Sequence, residues 1–351
     1  MTKVIFITQQ FDPEDPQIAI VVPQVAAIAR RVGEVVVIAD RIVADALPPN
    51  GRAYSFHAAT KLGRGLRVLA AVARELPGMR KGGGMVIAHM VPLYAIIAAP
   101  LVRPARVPLV MWWSHWKMDR VVRLGERVST RVVSVGPGTF PLASRKLVTV
   151  GQAIDVESFP PRASTREPGP LRIVVIGRYS AAKGIGTIVR AAGIALSHGA
   201  DIRLDVYGPA LTPDSRVEHE SLQALVRDLD LSERVQIHGS VNRAEVVRLL
   251  GEADVLVNNA PGGADRIVYE AAAAGIPVLA SNPAHTNLLE PDAFYNRDDP
   301  EQLASLIEAL ARRAPAERDE LGRSLRERVA REHSVESWSA GLLRAGGLTT
   351  P

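Results

Sequence analysis

Apolar residues in the first half of the chain fall in short β-rich runs, separated by stretches with a helical repeat. Lys3–Thr8, Glu34–Ala39, Met85–Ala88, Pro108–Met111, Arg131–Ser134 and Leu147–Val150 predict strands, and Gln17–Arg31 and Leu66–Leu76 predict helices. Such uniformly apolar runs suit a parallel sheet, whose two faces are both covered by helices. The intervals also supply the dozen or so residues that a right-handed crossover needs. The proline-rich stretch from Pro160 to Pro170 interrupts the pattern and would bury little, so it reads as a linker. The alternation then restarts. Strands are predicted at Leu171–Ile176, Ile202–Val206, Val235–His238, Val255–Asn258 and Val278–Ala280. Helices are predicted at Lys183–Ser197, Arg216–Leu229, Arg243–Leu250 and Arg266–Ala274, and then at Glu301–Ala311 and Ala316–Arg331. The expected fold class is α/β, with two Rossmann-like domains at residues 1–160 and 171–331 joined by a linker at 161–170. Two such domains would face each other across a cleft at the carboxyl ends of their sheets, where open α/β sheets bind ligands.

Composition narrows the chemistry. The 351 residues contain no cysteine, which removes disulfide scaffolds, thiolate metal sites and thiol nucleophiles. Lys and Arg number 42 against 37 Asp and Glu, a formal charge of +5. Charges of mixed sign do not make a nucleic-acid tail, but they permit attraction to phosphate-bearing ligands or to an anionic membrane. The N-terminal run Val4 to Ile7 is too short for a signal-peptide core. The low-charge stretch Met85 to Val102 is interrupted by His89, Pro92 and Pro100 and reads as strand, loop and buried helix. The expectation is a soluble, cytoplasmic protein.

Two loops carry candidate chemistry. The strand Leu171–Ile176 runs into Gly177-Arg178-Tyr179-Ser180-Ala181-Ala182-Lys183-Gly184 and then a helix. Gly177 would permit a tight turn, and the helix start offers unpaired amides and a positive dipole end. Arg178 supplies a planar fork and Lys183 a mobile point charge, a pair able to hold a diphosphate. The alternative is a turn glycine with two solvated bases. No GxxxxGK[ST] loop or complete dinucleotide fingerprint occurs, which disfavours an ATPase or a dehydrogenase. The second loop, Asn259-Ala260-Pro261-Gly262-Gly263-Ala264-Asp265, precedes a helix carrying Ile267, Val268 and Glu270. Its glycines can bring amides against a ligand. A buried carboxylate at Glu270 needs a partner, either a ribose diol or an arginine.

Together these segments resemble the retaining GT-B glycosyltransferases of family 4, the glycosyl transferases group 1. Further marks are Gly151-Gln152-Ala153-Ile154-Asp155 with Phe159, Val235 to Val241, and Glu252-Ala253-Asp254-Val255. The resemblance implies a nucleoside-diphosphate sugar donor, a UDP- or GDP-sugar, held by the second domain, with no cofactor or metal. It implies that Gly177, Arg178 and Lys183 bind the diphosphate and Glu270 the ribose, and that backbone at His238, Gly239 and Val241 holds the base. Gly262, Gly263, Ala264, Ile267 and Val268 would complete the donor site. The first domain would hold a hydroxyl-bearing acceptor, and residues 332–351, with a helix at Val335–Leu343, would return to it. Front-face attack with the leaving phosphate as base gives retention. The sequence departs from the family twice. Gly262 stands where the family has a carboxylate eight positions before Glu270, and the first loop reads Gln9 to Pro16 where many members carry a Gly-Gly pair. Asp12 in that loop could orient an acceptor hydroxyl or a cation, or be a solvated residue.

Three of the four tryptophans lie in Trp112-Trp113-Ser114-His115-Trp116-Lys117. The resemblance makes His115 a catalytic, sugar-contacting candidate, with Trp113, Trp116 and His89 on the acceptor side; core packing is the alternative. The basic residues Arg52, Lys61, Arg64, Arg67, Arg74, Arg80 and Lys81 are opposed only by Glu75 in their span. They suggest peripheral contact with a membrane and a lipid-linked acceptor, or an ordinary solvated surface. Nothing resembles an RNA-binding pattern, a G-x-S-x-G elbow or an HExxH site. Inverting chemistry, an epimerase, or a silent nucleotide-sugar-binding subunit are the alternatives.

Overall fold

The structure is a computed structural model that describes residues 2–15, 18–136, 138–160 and 169–348, apart from the side chains of residues 80–82. Residues 161–168, most of the expected linker, lie outside the described residues. The chain divides into two compact units, residues 1–155 with 332–351, and residues 156–331. Residues 156–160 therefore group with the second unit.

In chain order the first unit contains β1 (Lys3–Ile7), β2 (Gln10–Phe11), α1 (Val21–Ala29), β3 (Glu34–Ala39), β4 (Arg41–Ile42), β5 (Gly51–Ser55) and α2 (Lys61–Gly82). It continues with β6 (Gly84–His89), α3 (Pro92–Val102), β7 (Leu109–Trp112), α4 (Arg120–Val128), β8 (Arg131–Ser134) and β9 (Leu147–Thr149). The second unit contains β10 (Leu171–Ile176), α5 (Ile185–Ser197), β11 (Ile202–Tyr207), α6 (Pro213–Asp228), β12 (Val235–Ile237), α7 (Arg243–Glu252) and β13 (Val255–Asn258). It ends with α8 (Arg266–Ala273), β14 (Val278–Ala280), α9 (Pro300–Arg312) and α10 (Pro315–Glu332), and α11 (Val335–Ala345) closes the chain.

Two large parallel sheets organise most of these elements, ordered β5-β3-β1-β6-β7-β8-β9 and β12-β11-β10-β13-β14, and β2 pairs with β4 in a small parallel sheet of its own. Strands β6, β7 and β13 are buried throughout and β1 and β10 almost so, with Arg172 of β10 exposed, as helix-covered parallel strands require. Two elements lacked a clear apolar run. Strand β5 lies at the sheet edge with half-exposed residues, and α4 buries only Val122 and Gly125. The C-terminal segment is fastened within the first unit by backbone. The Ile154 amide donates to the His333 carbonyl at 2.7 Å, and the Val335 amide donates to the Ile154 carbonyl at 2.8 Å. Both Arg30 and Arg31 pair with Glu336 of α11.

The basic stretch of residues 52–74 is largely satisfied internally. Buried Glu75 of α2 receives Lys3 Nζ at 2.7 Å, Arg52 Nη2 at 3.2 Å and the Tyr54 hydroxyl at 2.6 Å. Arg52 also pairs with Glu34, Arg64 with Asp40 and the Ala58 carbonyl, and Arg67 with the His57 carbonyl. Arg74 lies over the Tyr54 ring. Burial opposes ionisation of Glu75, yet the bonds from Lys3 and Tyr54 outweigh it and hold the carboxyl below its ordinary value. Its contribution to stability is therefore complete above the ordinary carboxyl range, about pH 4.3, and lost as pH falls through the depressed folded value. Urea denaturation of E75Q should show a shallower loss of stability between neutral and acid pH than the parent protein.

Candidate functional site

In the second sheet β10 lies between β11 and β13, so the crossover direction reverses at its carboxyl end. Loops leaving such a pair of strands diverge and leave room for a ligand. Both candidate loops of this unit leave β10 and β13.

The β10 loop is pinned before it reaches its lysine. The Gly177 amide donates to the Tyr207 carbonyl at 2.9 Å, and the Gly208 amide donates to the Gly239 carbonyl at 3.1 Å, extending the ladder beyond the strands. The backbones of residues 177 and 208 are so close that a Cβ on Gly208 would sit 1.9 Å from the Gly177 carbonyl oxygen. Buried Tyr179 places its hydroxyl 3.1 Å from the Val206 carbonyl and 2.6 Å from that of His238. Burial pushes this phenol far above its ordinary range, so it stays a neutral donor. Gly177, expected to supply the turn, does not have a positive φ; Gly184 does, at 57°. Asn259 Nδ2 donates to the Gly184 carbonyl at 2.9 Å, and Arg297 Nη2 donates to the Ala182 carbonyl at 2.6 Å. The β10 and β13 loops are thereby tied together.

Lys183 closes a short 3-10 turn, Ala181–Lys183, and its ammonium pairs with Asp265, the residue before α8. Asp265 also accepts from Asn258 Nδ2 at 3.1 Å. Burial acts to raise the Asp265 carboxyl, but Lys183 and Asn258 outweigh it and hold it below its ordinary value. Arg178 is exposed and makes no ion pair with any described residue. A strand-end guanidinium without a counter-charge and a lysine one displacement away from release are suited to an incoming diphosphate.

The glycine loop has a defined polarity. Asn282 Nδ2 donates to the carbonyls of Gly262 at 2.8 Å and Gly263 at 3.1 Å. The Gly262 and Gly263 amides have no partner among the described residues. Gly262 has φ 94°, where a side chain would be strained, so this backbone does not suit the carboxylate the family carries there.

Glu270 is buried in α8 and meets two arginines at Oε1, Arg243 Nη1 at 2.7 Å and Arg266 Nε at 2.9 Å. Arg243 also lies over the Phe159 ring, 4.9 Å from its centroid. The arginine-paired alternative thus describes Glu270 in this structure. Three further expectations change. The Val268 side chain is fully buried and its amide donates to the Asp265 carbonyl, leaving that residue no group for a donor. Ile267 is buried too, and only its first-turn amide is suited to a ligand. The His238 amide donates to the Val206 carbonyl, and the ring pairs with Asp205 at 2.7 Å and stacks on Tyr207 at 4.3 Å. The backbone beyond it, at Gly239, is exposed, with its carbonyl bonded to the Gly208 amide, and Val241 is half-buried.

In the first unit, His115 Nδ1 accepts from the Lys117 amide at 2.9 Å, which puts the ring proton on Nε2. Burial, with Lys117 assisting, lowers its pKa, so the ring is a neutral donor near pH 7. It stacks on Trp116 and lies 5.8 Å from Trp113, whose indole nitrogen is buried without a partner among the described residues. Asp12 is not a solvated loop residue. It is buried, accepts from the Glu14 amide at 2.9 Å and pairs with Arg41 at 3.3 Å. His89 is buried at the end of β6, 3.1 Å from the Thr8 hydroxyl and against Phe6. Among the described residues no group of His, Asp and Glu side chains could hold a metal ion, and no helix is long and apolar enough to cross a membrane.

Residues 170–313 match the family described as glycosyl transferases group 1. No curated protein matches the chain significantly. Among solved structures, the Anabaena protein HepE in complex with UDP and glucose is 15% identical, covers 97% of this chain and 98% of its own, and superposes with a TM-score of 0.71. Sucrose-phosphate synthase from Thermosynechococcus elongatus is 18% identical, covers 99% and 98%, and has a TM-score of 0.72. The lipopolysaccharide outer core galactosyltransferase WaaB is 13% identical, covers 98% of each chain, and has a TM-score of 0.68. At these identities the likeness is one of fold, and the fold is GT-B, with two Rossmann-like α/β domains.

Proposed function

We propose that this chain is a glycosyltransferase that moves a sugar from a nucleoside-diphosphate sugar, a UDP- or GDP-sugar, to an acceptor hydroxyl. The observation that carries this reading is the meeting of Lys183, Asp265 and the outward amides of Gly262 and Gly263 at the carboxyl ends of β10 and β13. Arg178 and Lys183 take the diphosphate, and donor binding exchanges the Lys183–Asp265 pair for a Lys183–phosphate pair. The charge that grows on the departing phosphate meets fixed cations and amides, which lowers the barrier. Transfer proceeds with retention, the leaving phosphate accepting the proton of the attacking hydroxyl. The Gly262 and Gly263 amides replace the absent carboxylate in holding the sugar. The matching of residues 170–313 to group 1 glycosyltransferases, and UDP bound to HepE, support the donor class.

The first unit holds the acceptor, with His115 Nε2–H donating toward sugar or acceptor, Trp113 and Trp116 as stacking walls, and Asp12 and His89 as rigid supports. We extend the proposal to a lipid-linked acceptor at the cytoplasmic face of a membrane. The loss of a carboxylate at Gly262 favours one competing reading, a silent nucleotide-sugar-binding subunit. A thermal-shift series with UDP-, GDP-, ADP- and TDP-sugars tests donor binding, since ligands of the folded state raise its midpoint. Release of free nucleoside diphosphate on adding acceptor extract then separates enzyme from silent subunit.

Ribose contact through Glu270 has its own test. The parent protein should prefer a ribonucleoside diphosphate over its 2′-deoxy form by about tenfold, the worth of a hydrogen bond to a charged group. Glu270→Gln should abolish that preference in calorimetry. An unchanged preference removes Glu270 from the ribose site.

A further inference from the structure

The charge-rich stretch of residues 52–74 is folded onto its own acids and carbonyls, but α4 carries a basic face that is not. Arg120, Arg123 and Arg127 are exposed and pair with no described residue. The two acids of this segment are engaged: Asp119 caps the helix through the Val122 amide at 2.7 Å, and Glu126 holds the Ser144 hydroxyl at 2.6 Å. Apolar side chains stand among these arginines. Val121 and Leu124 of α4 and Leu93 of α3 are each between 41% and 48% exposed. Gly125 brings them to one side of the unit. A Cβ there would meet Pro92 Cβ at 2.9 Å, so α4 packs directly against the first turn of α3, next to Leu93.

Single exposed leucines need no explanation, but three large apolar groups interleaved with unpaired arginines form an amphipathic surface. Such a surface suits the boundary of an anionic bilayer, where apolar side chains enter the acyl region and guanidinium groups meet lipid phosphates. A second copy of this chain would bring like charges together, and nucleic acid would leave the apolar groups without a purpose. We propose that the α3–α4 face of the first unit docks on the surface of an anionic membrane, with Leu93, Val121 and Leu124 inserted and Arg120, Arg123 and Arg127 on the headgroups. The surface stands independently of the donor assignment.

The test is co-sedimentation of the full chain with vesicles of phosphatidylcholine alone and with one-third phosphatidylglycerol. The parent protein should bind the anionic vesicles and not the neutral ones, and added salt should release it. The triple variant R120S/R123S/R127S should bind about a hundredfold more weakly, as three lost headgroup contacts require. The triple lysine variant should retain most of the binding, which shows that charge and not a folding defect is read. Leu124→Asp should weaken binding, while Leu211→Asp in the second unit, where Leu211 is 76% exposed, should not. Equal binding to both vesicles, no binding to either, or an unaffected triple serine variant overturns the proposal. So does a concentration-dependent dimer that Leu124→Asp dissolves, which would make the face an interface between copies.

Discussion

Lys183→Ala is expected to slow sugar transfer by about a hundredfold to a thousandfold, the range for removing one fixed group that stabilises transition-state charge. The loss should fall on kcat more than on donor KM, because the lysine's counter-charge grows as the phosphate departs. Deleting Lys183 also strands Asp265, whose carboxylate would then repel a phosphate, so the single variant mixes two effects. The double variant K183A/D265N separates them. If the missing cation is the cause, the double variant stays slow. If the stranded anion is the cause, it recovers most of the rate. The account requires the first outcome, read by single-turnover transfer with whichever donor sugar gives the largest thermal shift.

Gly208→Ala should be the most damaging small substitution in the second unit. Its new methyl would lie 1.9 Å from the Gly177 carbonyl oxygen and 2.9 Å from the carbonyl carbon, both backbone atoms of the next strand. Overpacking of this kind costs about 1–3 kcal/mol when side chains can yield. Here the β10 end must move, and it carries Gly177, Arg178 and, through Tyr179, the anchor to the Val206 and His238 carbonyls. Urea denaturation should show a loss at or beyond the upper end of that range. Donor affinity should fall with it, even under conditions where the variant stays folded. Gly251→Ala, near the C-terminal end of α7 in the same unit, is the matched control, since a Cβ there meets nothing within 4 Å.

The strands and the two site loops were legible because their signals are local. A β-branched run followed by glycine and a lysine, or by two glycines and a helix, marks a strand end and the loop that leaves it. Gly208, Asn259, Asn282 and Arg297 were not legible. Their work is to fit or fasten backbone far away in sequence, as Asn259 does for Gly184 across 75 residues and Arg297 for Ala182 across 115. A sequence shows that a side chain can donate, not which carbonyl it will face. Asp265 was visible as a nearby acid, but its pairing with Lys183 depends on how two loops meet. The count of basic residues between 52 and 74 misled for a related reason, since it could not show that Glu34 and Glu75 lie beneath Arg52. Helix α4 was missed because it buries only Val122 and Gly125, too few positions for a core-facing stripe, while Val121 and Leu124 face outward.

Donor binding by this chain turns on the proposed grip of the second unit on a pyrophosphate. Calorimetric titration with uridine, UMP and UDP, and with guanosine, GMP and GDP, tests it most directly. One of the two series should bind, with affinity rising at each added phosphate and that rise lost in K183A. Equal affinity for the nucleoside and its diphosphate, or no binding by either diphosphate, would contradict it.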